Sequence, residues 1–313
     1  MQETGPQYLK DNSTDPTGFL RKARLHQSRF RALTLNLPYD TYGNYLTESD
    51  GKAGKNFYDG FDVFKAVEKR YPKYSKPLYS NMLRSEHIPF NLFVPFCKDK
   101  EYCKKVLNDF LYGVIQNIDI IIIEHAPKPK KDYLNDATSF DAYIEYTHSD
   151  NSRGMIGIEV KYTEKDYKLI DKSKQAKDIN NLQSDYYRVT KECKIYKQNA
   201  ISVLPTDEYR QIWRNHILGE SILLVKPDEY KHFTSLTIFP EGNKHFVETS
   251  KKYIDLLVDN DNKFVTLTYE SFLESCNKHC PNKSYEHWIS YLTKRYIVTE
   301  DEVFQTQQNG RDN

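Results

Sequence analysis

Residues 114–163 constrain the fold more than any other part of the chain, because here apolar residues leave helical spacing and follow strand patterns. The run VIQNIDIIIIEHAP is almost continuously apolar, as expected for a strand covered on both faces. SFDAYIEYT and MIGIEVKYT then alternate polar and apolar residues, and the polar turn HSDNSRG separates them. Three consecutive strands are therefore predicted, the last two joined as an antiparallel hairpin.

Apolar residues at helical spacing lie on both sides of these strands. Helices are predicted over 17–31, 57–71, 78–88 and 98–112, the third ending before Pro89 because a residue preceding proline avoids helical geometry. Further helices over 164–197, 207–221, 243–257 and 285–296 accompany strands at 235–239 and 264–268. The helix over 207–221 carries a stripe that predicts core packing: Tyr209, Ile212, Trp213, His216 and Ile217.

The order of helix, three strands, helices and strand predicts an α/β fold with a mixed sheet of four to five strands flanked by helices. The 313 residues, 38% of them hydrophobic, suffice for a large core in one or two domains. We expect a disordered tail over 1–16, a helical extension over 17–75 packed on the core, a main domain over 76–300 and a second tail over 301–313.

Composition and charge favour a soluble cytoplasmic protein with no membrane association. No apolar run approaches the roughly 18 residues of a membrane span, and the first residues lack the pattern of a signal peptide. The five cysteines are odd in number and widely spread, which favours reduced thiols. The run Cys276-Asn-Lys-His279-Cys280 lacks the paired spacing of a zinc site. With 45 basic and 44 acidic residues, any polyanion must be bound by local groups.

The predicted hairpin brings two acids and one amine together. If it is centred on Asn151, paired residue numbers sum to about 302, so Asp141 lies opposite Lys161 and diagonal to Glu159. Alternation places all three side chains on one face. Neighbouring buried carboxylates need a compensating cation, and hard oxygen ligands suit Mg²⁺. A cross-strand salt bridge on an exposed surface would use the same residues, so spacing alone leaves both interpretations open.

The two strand sequences resemble motifs of the PD-(D/E)xK nuclease superfamily. In that superfamily an Asp on one strand precedes Glu-x-Lys on the next, and here these residues are Asp141 and Glu159-Val160-Lys161. Ser139-Phe140 stands where a proline is expected, which many members also lack. The likeness extends over about residues 20–300. Four segments resemble a bacterial restriction-endonuclease-like branch: Ser85-Glu86-His87, Phe90-Asn91-Leu92-Phe93, Trp213-Arg214-Asn215 and Phe239-Pro240.

The resemblance implies a Mg²⁺-dependent nuclease whose domain spans 76–300, with Mn²⁺ able to substitute and DNA favoured over RNA as the substrate. Asp141 and Glu159 would bind the metal, the carbonyl of Val160 would complete its shell, and Lys161 would assist the attacking water. Glu86 would be an accessory acid on the helix before the first strand, although a solvent-exposed carboxylate at a helix end is the alternative. The sequence leaves the number of ions, one or two, open.

Further residues are candidates for substrate contacts. Gln183 and Tyr187, one helical turn apart, resemble the Gln-x-x-x-Tyr helix of RecB-like nucleases, and a helix face packed on the sheet is the alternative. Guanidinium and ammonium groups bind phosphate oxygens, so five basic residues are further candidates for substrate contacts: Arg188, Arg214, Lys128, Lys130 and Lys131. The alternative is that they are ordinary surface residues.

The same arrangement of Asp141, Glu159 and Lys161 is compatible with two other functions. A catalytically silent nucleic-acid-binding or scaffold protein would keep the fold without cleavage. Glycoside hydrolysis by a carboxylate pair would need neither metal nor Lys161. Symmetric cutting of both strands of a duplex would favour a homodimer.

Overall fold

Five strands form one mixed sheet in the computed structural model, which describes residues 3–7, 18–164, 169–260 and 263–299. The strands are β1 (Ile115–His125), β2 (Phe140–His148), β3 (Arg153–Val160), β4 (His232–Phe239) and β5 (Phe264–Thr268). They lie side by side in chain order. β1, β2 and β3 pair antiparallel, whereas β4 and β5 run parallel to β3. The predicted α/β fold with a mixed sheet is confirmed.

Helices precede the sheet, connect its parallel strands and follow it. Before β1 lie α1 (Phe19–Arg29), α2 (Glu48–Lys52), α3 (Val63–Arg70), α4 (Lys76–Tyr79), α5 (Ile88–Phe93) and α6 (Lys100–Asn108). Between β3 and β4 lie α7 (Lys174–Ile179), α8 (Asp185–Glu192) and α9 (Arg210–Val225), and α10 (Lys244–Ile254) joins β4 to β5. The chain continues into α11 (Tyr269–Lys278) and α12 (Lys283–Tyr296).

Several predicted elements differ from the structure. Within the described part of the helix predicted over 164–197 there are two short helices, α7 and α8, and the helix predicted over 57–71 is only α3. The helix predicted to stop before Pro89 is wrong, because Pro89 lies in the first turn of α5, where its missing N–H costs no hydrogen bond. β1 was expected to be covered on both faces, but it lies at the edge of the sheet. Most of its side chains are only half-buried, and Ile120 is 40% exposed. Neighbouring isoleucines therefore do not show that a strand is central.

Alternation along β2 and β3 divides the interior into two cores. Ala142, Ile144 and Ile158 face a core shared with α6, α11 and α12. Tyr143 and Met155 face the opposite core, which contains α8, α9 and α10. The sheet is thus covered on both sides, and the crossover helices after β3 pack over the face that carries odd-numbered residues of the hairpin.

The N-terminal segment packs on the main domain. Gln27 on α1 donates hydrogen bonds to the Tyr162 hydroxyl at 2.9 Å and to the Arg295 carbonyl at 2.6 Å. Residues 3–7, part of the predicted disordered tail, lie against this segment, since the Arg31 guanidinium donates to the carbonyls of Glu3 and Thr4. Residues 1–2, 8–16 and 301–313 of the predicted tails lie outside the described residues. Among the described helices, none has both the length and the apolar character needed to cross a membrane.

Candidate metal centre at the ends of strands β1 and β3

The register of the β2–β3 hairpin decides which predicted site residues meet. Ala142 lies opposite Ile158 and Ile144 opposite Ile156, so paired residue numbers sum to 300. Continued by one residue, this register places Asp141 across from Glu159, and the predicted pairing with Lys161 is wrong. The error is two residues long, which preserves the alternation of faces. Asp141, Glu159 and Lys161 therefore still share a face of the sheet.

Glu159 is held by three nitrogen donors in a buried position. The Lys161 ammonium lies 2.5 Å from Oε1, with only 3% of its own side chain and 9% of that of Glu159 exposed. Gln211 Nε2 donates to Oε1 at 2.8 Å, and Asn215 Nδ2 donates to Oε2. Gln211 and Asn215 are one turn apart on α9, which packs against β3. These contacts orient the carboxylate at the carboxyl end of β3.

Asp141 is the second acid of the centre. Its Oδ2 accepts a hydrogen bond from the Val160 N–H at 2.7 Å. Burial raises the pKa of Asp141 well above its ordinary value, and the Glu159 carboxylate raises it further, while the Lys161 ammonium and the Val160 N–H act in the opposite direction. Burial is therefore the main cause of the shift, and the neighbouring Glu159 and Glu124 carboxylates add to it.

Glu124 is a third acid, which the sequence analysis does not identify. It lies near the carboxyl end of β1 between Ile123, paired with Ala142, and His125, paired with Phe140. Its backbone adopts the left-handed region with φ of 60°, unusual for a residue with a side chain.

The environment of Glu124 links it to the other acids. Burial raises its pKa, a hydrogen bond from the Tyr71 hydroxyl lowers it, and the Glu159 carboxylate raises it again. Tyr71 follows α3, so the N-terminal segment also reaches the centre. The position of Glu124 directly after four isoleucines, at a strand end, is the signal that could have identified it.

These groups fit a divalent cation by chemistry and charge. Asp141, Glu159 and Glu124 offer hard carboxylate oxygens, and Lys161 neutralises only one of the three negative charges. They do not form a tight cage: among the described residues, the trio of ligand atoms found within 4.8 Å of one another lies elsewhere, at His148, Asp150 and His232. A cation here would be held by Asp141 and Glu159, with Glu124 close by.

A family model of the PD-(D/E)XK nuclease superfamily matches residues 11–298. The chain belongs to the PD-(D/E)XK nuclease superfamily. No curated protein and no solved structure gives a significant match. Membership confirms the resemblance inferred from Asp141 and Glu159-Val160-Lys161, and it implies hydrolysis of phosphodiester bonds with the help of divalent metal ions.

Within this superfamily framework, Glu86 does not join the acidic centre in the structure. It lies in the short turn Ser85–His87 and forms an ion pair with Arg84 at 2.5 Å, with 41% of its side chain exposed. The charged groups that act most strongly on Asp141 are Glu159, Lys161 and Glu124. Glu86 therefore stays a sequence-based prediction, and the further acid that acts on Asp141 is Glu124, which lies on β1 and not on the helix before it.

The predicted helical pair of Gln183 and Tyr187 is corrected by the structure. Gln183 is exposed and precedes α8, which begins at Asp185, so the two residues do not share a helix face. Tyr187 is buried and its hydroxyl donates to the Ile179 carbonyl at 2.8 Å. A pair of polar residues one turn apart does reach the centre, but it consists of Gln211 and Asn215 on α9.

The two candidate arginines are both engaged by carboxylates. Arg188 pairs with Asp185 and Glu192 at 2.9 Å each on the outer side of α8. Arg214 lies 2.7 Å from Asp136 and is largely buried, which ties the β1–β2 connection to α9. Neither guanidinium projects unpaired into solvent.

The three candidate lysines differ from the arginines. Lys128, Lys130 and Lys131 are exposed in the connection that follows β1. This connection begins two residues after Glu124, so it leaves the sheet at the acidic end. Among the residues predicted to contact phosphate, these lysines are both exposed to solvent and close in sequence to Glu124 of the acidic centre.

Proposed function

We propose that this protein is a Mg²⁺-dependent nuclease that cleaves DNA, with Asp141 and Glu159 binding the metal and Lys161 assisting the attacking water. One observation carries the proposal: Asp141 and the buried Glu159–Lys161 pair lie together on one face at the end of the hairpin. A buried acidic group that is only partly neutralised is costly to retain unless a cation or a substrate uses it.

Each residue of the centre has a role that its contacts support. A bound divalent ion supplies polarisation of a phosphoryl oxygen and a lowered pKa for a coordinated water. Gln211 and Asn215 keep Glu159 in one orientation, so the metal ligand is preorganised. The Lys161 ammonium, fixed beside Glu159, orients the water and offsets negative charge that develops on the phosphoryl oxygens.

The choice of metal follows from the ligands. Carboxylate oxygens and a backbone carbonyl, that of Val160, are ligands that Mg²⁺ accepts, and Mn²⁺ is expected to substitute. We propose Glu124 as a further acid near the ion, because its half-buried side chain and that of Asp141 act on each other electrostatically. Glu86 would act at the centre only if Arg84 released it.

The choice of DNA over RNA rests on the resemblance to the restriction-endonuclease-like branch. Lys128, Lys130 and Lys131 are proposed to bind backbone phosphates, since they are exposed beside the acidic end of the sheet. Arg188 and Arg214 would contribute only by exchanging their present carboxylate partners for phosphate. Symmetric cleavage of a duplex would use a homodimer in the cytoplasm, which light scattering with and without DNA would test.

The test is cleavage of supercoiled plasmid, linear duplex DNA and single-stranded RNA with Mg²⁺, Mn²⁺ or EDTA. Asp141→Asn and Glu159→Gln should abolish metal-dependent cleavage. Lys161→Met, which keeps the apolar stem, should lower the rate by roughly 10²–10³-fold while leaving DNA binding intact.

Two matched controls separate chemistry from folding. Glu145→Gln changes a buried carboxylate on the same face of β2, which bonds instead to Arg153 and Tyr230. Lys226→Ala removes a lysine of an exposed ion pair with Glu229. Both should cleave like the wild type. Cleavage by Lys161→Met at the wild-type rate would contradict the mechanism, and DNA binding without any cleavage would favour a catalytically silent binding protein.

A further inference from the structure

A second group of ligating side chains lies at the opposite end of the sheet. His148 is the last residue of β2, His232 is the first residue of β4, and Asp150 lies in the turn between β2 and β3. Asp141 is near the start of β2, seven residues before His148, which is roughly 23 Å along an extended strand. This group is therefore separate from the acidic centre.

The three side chains converge on one another. His148 Nδ1 lies 3.0 Å from Asp150 Oδ1, and His232 Nε2 lies 3.0 Å from Asp150 Oδ2. The two imidazole rings stack with centroids 3.8 Å apart and planes inclined by 17°. One ligand atom from each residue lies within 4.8 Å of the other two. Binding of all three to a single ion requires the stacked rings to rotate so that both ring planes meet at the ion.

Stacking and charge favour a cation over a pair of protonated histidines. Two imidazolium rings at 3.8 Å would repel each other, and the single Asp150 carboxylate offsets only one of their charges. Two neutral imidazoles whose nitrogens lie within 4.8 Å of each other and of a carboxylate oxygen instead make a donor set for one metal ion, which would replace the hydrogen bond that His148 Nδ1 accepts from the Asp150 N–H at 3.2 Å.

The carboxylate is also held in place. Its Oδ1 accepts hydrogen bonds from the Ser152 N–H at 2.8 Å and from the Ser152 hydroxyl at 2.5 Å. Hydrogen bonds of this kind are common in turns, and they also orient ligand side chains at metal sites. Asp150 is thus oriented even though about half of its side chain is exposed.

We propose that His148, Asp150 and His232 form a site for a transition-metal ion of the Zn²⁺ class. Two imidazoles and one carboxylate suit Zn²⁺, Co²⁺ or Ni²⁺, whereas Mg²⁺ prefers oxygen ligands alone. Both histidines line a cavity of about 260 Å³, which has room for water at the remaining coordination positions. The ion ties the start of β4 to the β2–β3 turn, so it stabilises the sheet at the end remote from the acidic centre.

The test uses Zn²⁺ in titration calorimetry and Co²⁺ in visible absorption, on the full-length chain. Wild-type protein should bind one ion at this site and show the intense visible bands of low-symmetry Co²⁺. His148→Ala and His232→Ala should each weaken binding by at least roughly ten- to a hundredfold. His279→Ala is the matched control, because His279 also pairs with an aspartate, Asp109, at 3.0 Å, and it should bind as the wild type does.

A second measurement keeps the proposal falsifiable if a variant folds poorly. Zn²⁺ should raise the melting temperature of the wild type and of an Asp141→Asn, Glu159→Gln double variant, but not that of His232→Ala. Loss of the Co²⁺ bands in the double variant, with the bands retained in the histidine variants, would overturn the proposal. So would a wild type that takes up no Zn²⁺. Neither result depends on whether the protein cleaves DNA.

Discussion

Glu220 offers a quantitative test of how burial acts in this fold. It lies on α9, lines the same cavity as His148 and His232, and is 6% exposed. No described residue donates a hydrogen bond to its carboxylate, and the nearest basic nitrogen, His216 Nε2, is 3.9 Å away. Burial raises the pKa of Glu220 to about 7, although the Lys263 ammonium opposes this rise.

This pKa makes stability depend on pH with a definite sign. In the unfolded chain Glu220 loses its proton near pH 4.5, whereas the folded protein keeps it until about pH 7. Between these values the folded state binds more protons, so the free energy of unfolding falls as pH rises. The full difference, 4.5 against about 7 at 1.36 kcal/mol per pH unit, costs about 3 kcal/mol above pH 7.

The perturbation is Glu220→Gln, which removes the charge and keeps the shape. The variant should exceed the wild type in unfolding free energy by about 1 kcal/mol or less at pH 5 and by about 3 kcal/mol at pH 8. Urea unfolding followed by tryptophan fluorescence at pH 5, 6, 7 and 8 measures the difference, and other titrating groups cancel between the two proteins. A difference that does not change with pH, or a wild type that is the more stable at pH 8, would refute the reasoning.

Three further outcomes are expected. Asp141→Asn should raise the free energy of unfolding by roughly 0.5–2 kcal/mol in metal-free buffer while abolishing cleavage, because it removes a carboxyl group whose negative charge the Glu159 carboxylate disfavours; calorimetric melting checks this. Gln211→Ala should lower kcat more than it weakens DNA binding, since it only orients Glu159; single-turnover kinetics and binding titrations separate the two. Gly219→Ala should destabilise by about 1–3 kcal/mol in urea unfolding, because its Cβ would overlap the ring of Phe233.

Much of the fold could be predicted from local patterns. The alternation of polar and apolar residues predicted the β2–β3 hairpin. The apolar stripe on α9 is buried as expected, with Trp213 and Ile217 fully buried. These predictions succeed because apolar residues that repeat every 2 or every 3.6 positions are the ones buried on one face of a strand or helix. The edge position of β1 could not be predicted, since a strand's neighbours depend on how the whole sheet is assembled.

The candidate site was also predictable only in part from the sequence. Asp141, Glu159 and Lys161 share a face because residues on a strand alternate, and this held even though the predicted register was wrong by two. Gln211 and Asn215 could not be assigned, because α9 reaches the end of β3 only through the packing of the sheet, and Glu124 had only its position at a strand end as a signal.

Local sequence thus determined the elements, their faces and the Asp and Glu-x-Lys motif, all of which follow from contacts between residues close along the chain. Only the tertiary structure decided which distant residues surround that motif. Glu124 approaches from a neighbouring strand, Gln211 from a crossover helix, and His232 meets His148 across β3. These long-range contacts depend on strand order and helix packing, which a short stretch of sequence does not determine.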